Sequence, residues 1–187
     1  MSNIYKEKWK NLLGDWHRIH PGVKFGENVR IGEGTVIEDG CVVGNNVMIG
    51  HNCVLRPNTI IGNNTKISHF FSSEEGAKIG NNCNLGVYSE FTKDAVMEDW
   101  VFYGAGAMTL NAKCILYGRS GDTTLEAPRI CYGARIGARV TIMPGVTIGR
   151  EASIGARSLV TRDVPGQECW VGSPAKFMSM VPEGEYL

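Results

Sequence analysis

The chain has 187 residues, 43% of them hydrophobic and 20% charged, with Lys+Arg and Asp+Glu both at 19. This composition describes a folded domain or a repeat array with a sizeable core and excludes a disordered chain. A formal net charge of zero gives no general reason to expect nucleic acid or an anionic membrane as a partner.

The N-terminal MSNIYKEKWKNLLGDW is too charged for a signal peptide, and no run of ~20 apolar residues suggests a membrane span. A cytoplasmic protein is expected. Ile4, Trp9, Leu12, Leu13 and Trp16 fall near helical spacing, so residues 1–18 are expected to cap whatever follows.

From Ile19 a six-residue clock begins. It runs Ile19, Phe25, Ile31, Ile37, Val43, Ile49, Leu55, Ile61, Ile67, Ser73, Ile79, Leu85, Phe91, Met97, Tyr103, Thr109, and only Ser73 and Thr109 break the apolar rule. A second track, four residues later, carries small or β-branched side chains such as Val29, Thr35, Cys41, Cys53 and Cys83. Gly44-Asn45-Asn46, Gly62-Asn63-Asn64 and Gly80-Asn81-Asn82 punctuate it, and those residues build tight turns. Neither a helix nor a half-buried strand repeats every six residues. Short strands alternating with turns describe a parallel β-helix, three hexads to a triangular coil of 18 residues. At ~4.8 Å per coil, residues 19–165 make about eight coils and a prism roughly 38 Å long. Cysteines on the small track act as core hydrophobes, and no C-x-x-C pair suggests zinc or redox chemistry.

His51 and His69 are one coil apart and are expected to stack about 4.8 Å apart on one edge. Such a pair suits a pyrophosphate or a general base; the plain alternative is two turn-edge side chains in water. The stretch FFSSEEGAK, 70–78, reads as a short bulge or a binding loop, because Ser73 sits where an aliphatic belongs. Among nearby carboxylates Glu90, in NLGVYSEF, is the choice for holding a substrate amine or taking its proton. Ile115 still falls on the clock, which restarts fifteen residues later at Ile130. A loop is therefore expected near 116–129, where LYGRSGDTTLEAP has the composition of an exposed excursion and a place for function. The tail 166–187 is expected to cap the far end.

The hexad pattern, with VTIMPGVTIGREASIGARSLVTRDVPGQECWVGSPAK at 140–176, closely resembles the hexapeptide-repeat acyltransferases. The resemblance implies an all-β, left-handed parallel β-helix, a homotrimer with sites between subunits, and acetyl-CoA as co-substrate. The left hand comes from the family alone. VFYGAGAMTLN, 101–111, is similar to a segment of bacterial nucleotide-sugar N-acetyltransferases, whose asparagine aligns with Asn111. EAPRICYGARIGARVTIMPGVTIG is similar to the coils that follow the active-site loop of maltose and galactoside O-acetyltransferases, whose histidine base falls at the same position. The family's pantetheine groove implies Ala138 and Ala156, in two "IGA" turns, against the cofactor, with Arg157, Arg162 and Lys176 near its phosphates.

The residue type at 111 bears on the chemistry. A hydroxyl needs a base as it attacks a thioester; asparagine is not one, but it can accept a hydrogen bond from an amine and orient it. The expected activity is N-acetylation of a dTDP- or UDP-linked amino sugar, with Asn111 and His69 catalytic, and His51 and Glu90 against the substrate. A sugar O-acetyltransferase with a histidine base is the alternative. A γ-type carbonic anhydrase is set aside because its paired zinc histidines, five apart, are absent, so no metal is expected. A non-catalytic trimeric scaffold needs neither the loop nor the G-PAK tail.

Overall fold

The computed structural model describes residues 18–187. The expected cap lies outside them except for Arg18, which opens the first strand. Among the described residues there is no α-helix, and no helix is long and apolar enough to cross a membrane.

Twenty-two strands of two residues each, from Arg18–Ile19 to Leu159–Val160, wind into three parallel walls. The first wall stacks eight strands: Arg18–Ile19, Val36–Ile37, Val54–Leu55, Ser72–Ser73, Glu90–Phe91, Met108–Thr109, Thr141–Ile142 and Leu159–Val160. The second runs from Lys24–Phe25 to Thr147–Ile148, and the third from Arg30–Ile31 to Ser153–Ile154. The result is a β-solenoid of about eight turns, consistent with the left-handed parallel β-helix expected. Every register is an 18-residue step up to the arm described below, as in Ile37 against Leu55 and Leu55 against Ser73.

A two-residue strand presents one side chain inward and one outward, so the clock residue enters the core. Ile37, Ile49, Leu55, Ile61, Leu85, Phe91, Ile136 and Ile142 are all at most 1% exposed. Fully burying such a side chain contributes about 1.5–3 kcal/mol, which sums along the prism into one continuous core. Cys41, Cys53 and Cys83 lie in that core as free thiols, and burial raises all three pKa values, Cys83 to about 11.

Two sequence expectations are corrected. Residues 70–78 form neither a bulge nor a loop: Ser72–Ser73 pairs in register with both neighbours. Ser73 is tolerated inside because Phe71, on the small track, fills the volume it vacates; both are at most 1% exposed. The Ser73 hydroxyl is paired with that of Thr59 at 2.9 Å, so no buried hydroxyl is orphaned.

The loop, expected near 116–129, leaves earlier. Ile115 is 86% exposed and off the core. The chain departs after Met108–Thr109 and rejoins at Arg129–Ile130. The Glu126 N–H donates to the Asn111 carbonyl (2.8 Å), and Ala112 bridges Leu125 antiparallel. Asn111 and Glu126 thus hold equivalent corner positions, and the residues between them form an arm inserted at one point. Lys113 and Glu126 pair at its base, 2.5 Å apart.

Beyond residue 160 the third wall gains Glu168–Gly172, parallel to Ser153–Ile154, and Ala175–Met180, antiparallel to it. Residues 181–187 fold back, with Glu185 on Arg135 (2.6 Å) and the Leu187 N–H on Glu151 (3.3 Å).

Candidate functional site

Three corners join the walls, and at two of them, over several coils, the second residue after a strand places a side-chain acceptor under the backbone N–H of the coil below. At the corner between second and third walls this is an asparagine ladder. Asn45, Asn63 and Asn81 and then Asp99 accept, through Oδ1, from Glu27, Asn45, Asn63 and Asn81, each at 2.7 Å.

At the corner between third and first walls the same positions hold His51 and His69. The Glu33 N–H donates to Nδ1 of His51 and the His51 N–H to Nδ1 of His69, both at 2.9 Å. The imidazoles stack as expected, with ring centroids 5.1 Å apart. An Nδ1 that accepts has a lone pair there, so the neutral ring carries its hydrogen on Nε2. Each Nε2 is therefore a donor. A histidine base needs the opposite tautomer, with Nδ1–H tied down and the Nε2 lone pair free.

The same corner continues upward through Val87, Ala105, Ala138 and Ala156, linked by carbonyls that accept from Gly106, Arg139 and Arg157 N–H groups (2.8 Å each). Both expected cofactor alanines, with Arg157 beside them, thus share one edge with the two histidines. Gly137 explains the "IGA" turn: a Cβ there would lie 2.5 Å from the Ala156 nitrogen. A shallow hollow of about 340 Å³, lined by Glu33, Gly34, His51 and Asn52, opens lower on this edge. The edge also holds two residues that sequence reasoning passed over. Phe70 and Tyr88 stack at 4.7 Å with planes 8° apart, and they remain 44% and 64% exposed.

Asn111 lies on the opposite edge of the first wall, at the corner with the second. Its carbonyl anchors the arm, and no side-chain hydrogen bond holds its carboxamide among the described residues. Below it, Lys93 pairs with Glu75 (2.9 Å), and Arg162 is exposed higher on the same corner. Glu90 stands between the two edges, outward on the first wall between Ser72 and Met108. Burial first, and then the charge of Glu74, raises its pKa above the usual carboxylate range. Lys176 is on neither edge; it is exposed in the terminal hairpin. Within one chain, therefore, His51, His69, Ala138, Ala156 and Arg157 assemble on one edge, while Asn111 and Arg162 lie on another. Among the described residues no group of three or more His, Cys, Asp or Glu is placed to hold a metal ion.

Comparison with known proteins agrees with this architecture. The bacterial transferase hexapeptide (six repeats) model matches residues 40–70, and the hexapeptide repeat of succinyl-transferase matches 22–51 and 132–162. Serine acetyltransferase 2 of Arabidopsis thaliana is 39% identical over 88 residues, which is 44% of this chain and 27% of that protein. Serine acetyltransferase 4 of the same plant is 41% identical over 68 residues, 36% of this chain and 19% of the relative. The chain thus spans about a quarter or less of the length of these relatives. A hexapeptide-repeat acetyltransferase of Vibrio cholerae O1 biovar eltor, VCA0836, solved with acetyl-CoA, has a TM-score of 0.60 at 26% identity, over 66% of this chain and 71% of that one. The polySia-specific acetyltransferase NeuO shares the fold at a TM-score of 0.70 and 18% identity, over 90% and 82% of the two chains. A variant of AntD, an N-acyltransferase of Bacillus cereus, does so at 0.59 and 20%, over 86% and 85%. The hexad clock, the three-walled solenoid and these matches together identify hexapeptide-repeat transferase sequence over residues 22–70 and 132–162 and the same solenoid fold over most of the chain.

Proposed function

We propose that the protein is an acetyl-CoA-dependent N-acetyltransferase acting on the amine of a dTDP- or UDP-linked amino sugar, in grooves between the subunits of a homotrimer. The observation that carries this reading is the free carboxamide of Asn111 at the root of the arm, opposite an edge whose histidines are donors. Binding of acetyl-CoA by the V. cholerae relative supports the co-substrate. AntD variants solved with coenzyme A and dTDP or dTDP-4-amino-4,6-dideoxyglucose support the acceptor class.

In this mechanism the pantetheine arm runs along Ala138 and Ala156 of one subunit, and Asn111 faces it from the next. The Asn111 Oδ1 accepts a hydrogen bond from the acceptor amine and aims its lone pair at the thioester carbonyl. The C–N bond forms as the C–S bond breaks, and the amine's surplus proton leaves with the thiol or to water. Positioning of this kind is worth roughly 7–11 kcal/mol of barrier at best. His51 and His69 donate through Nε2 to diphosphate oxygens. Glu90, on the wall between the edges, lies against the substrate.

The serine acetyltransferase relatives favour a second reading, a hydroxyl acceptor, which requires a base. Thiol release from acetyl-CoA separates the two. Amino sugars on dTDP and UDP are each paired with their hydroxyl counterparts, and serine is included. Release with amino sugars alone is expected; release with hydroxyl acceptors alone overturns the proposal.

A further inference from the structure

Each corner has a column of residues with left-handed backbone. Between third and first walls it reads Gly34, Asn52, Phe70, Tyr88, Gly106, Arg139, Arg157, with φ from 54° to 74°. Glycine and asparagine adopt this region cheaply, whereas a bulky residue there is an outlier. Two successive coils nevertheless carry aromatics, at φ 58° and 57°, and leave them in solvent. Burial does not repay that strain, and strain of this kind concentrates at ligand sites.

The column also leaves a gap. Phe70 covers the lower face of Tyr88. Above Tyr88 comes Gly106, whose space is bounded within 4 Å only by the flexible stem of Arg139 at 3.2 Å. Elsewhere in the solenoid such space is taken: a Cβ on Gly34, Gly40 or Gly76 would collide with the side-chain oxygen of Asn52, Asn58 or Asp94. The upper face of Tyr88 is therefore a flat apolar floor one coil high. It lies just above the Nε2 donors of His51 and His69 and just below the Ala138–Ala156 edge.

We propose that the upper face of Tyr88, held by Phe70 and opened by Gly106, is the platform on which the hexose of a sugar nucleotide lies. Its diphosphate descends to His69 and His51, and its reactive substituent points up toward the thioester. The inference rests on the acetyltransferase reading above. The occupant follows from order along the edge. Phosphate donors lie below the floor and the alanine edge lies above it, so the group between them joins a diphosphate to the reacting atom. A pyranose offers a face of axial C–H groups that suits an aromatic ring, and Arg139 supplies a donor for its hydroxyls.

The test is calorimetric binding of three probes to the wild-type protein and Tyr88→Asn. They are dTDP, a dTDP-linked amino-deoxyglucose and acetyl-CoA, with UDP equivalents run alongside. Asparagine is the residue this column already uses at position 52, so the variant is expected to fold with an unchanged or higher Tm. The expected result is a loss of about three- to tenfold in affinity for the sugar nucleotide, with dTDP, UDP and acetyl-CoA within twofold. Equal loss for free dTDP and the sugar nucleotide assigns the ring to the base or phosphates and overturns the proposal. An unchanged sugar-nucleotide affinity also overturns it. If the wild-type protein binds acetyl-CoA but no sugar nucleotide, the acceptor class itself is wrong and the platform falls with it.

Discussion

Nδ1 of His69 accepts the backbone N–H of His51 at 2.9 Å, the bond that Asn63 Oδ1 makes to Asn45 at the neighbouring corner. Histidine here stands in for asparagine as a coil-stacking acceptor, and its Nε2–H is what it adds. His69→Asn is therefore expected to keep the Tm, while His69→Ala, which leaves the N–H of His51 without its partner, costs about 1 kcal/mol. Thermal unfolding of both variants checks this. In turnover, a donor predicts a raised KM for the acceptor with kcat within tenfold for His69→Asn. A base predicts a fall in kcat of about 100-fold or more.

Asn111→Ala is expected to lower kcat by up to about 100-fold through misplacement of the acceptor, with little change in KM for acetyl-CoA. Asn111→His, which installs a base, should shift activity toward hydroxyl acceptors. Paired amino and hydroxyl sugars in a thiol-release assay read both effects.

The Phe71–Ser73 exchange of volumes gives a prediction about stability alone. Phe71→Ala should cost about 3–5 kcal/mol as a cavity, and Ser73→Leu about 1–3 kcal/mol by overpacking. The double variant Phe71→Val with Ser73→Leu restores the ordinary pattern of the column and should recover most of the loss. A double-mutant cycle in urea that finds the two substitutions additive would contradict the compensation.

Glu90 has a folded-state pKa raised by burial and by Glu74. Such a group favours folding in its protonated form. Its contribution is full below the ordinary carboxylate pKa and is lost as pH rises through the higher folded value. Glu90→Gln, which fixes the neutral form, should therefore raise stability at neutral pH and make no difference below about pH 4. Tm measured across that range gives the sign directly.

The fold could be read from the chain almost residue by residue. A clock of six fixes which strand stacks on which, so Ile37 over Ile19 needed no further information. Its failures have physical causes. Ser73 looks like an interruption when one track is read alone; the compensating Phe71 sits on the other. Ile115 falls on the beat by count, but a count does not record where the chain departs, and it leaves the wall after Met108–Thr109.

The histidine stack was legible as an 18-residue spacing, whereas the tautomer depends on where a backbone N–H points, which no spacing records. Phe70 and Tyr88 were within reach of the sequence. They sit in a column with Gly34, Asn52, Gly106, Arg139 and Arg157, and two aromatics on successive coils of it are a signal in their own right.

The arm between Asn111 and Glu126 begins and ends on the same corner position, so the coils above it resume with the registry of those below: Val96 meets Arg129 and Met97 meets Ile130 as if nothing intervened. Whatever the arm's length or composition, the stacked walls are indifferent to it. Scaffold and arm can then change separately. Substitutions in the arm cost the core nothing, and the whole excursion can be exchanged by cutting at two adjoining residues.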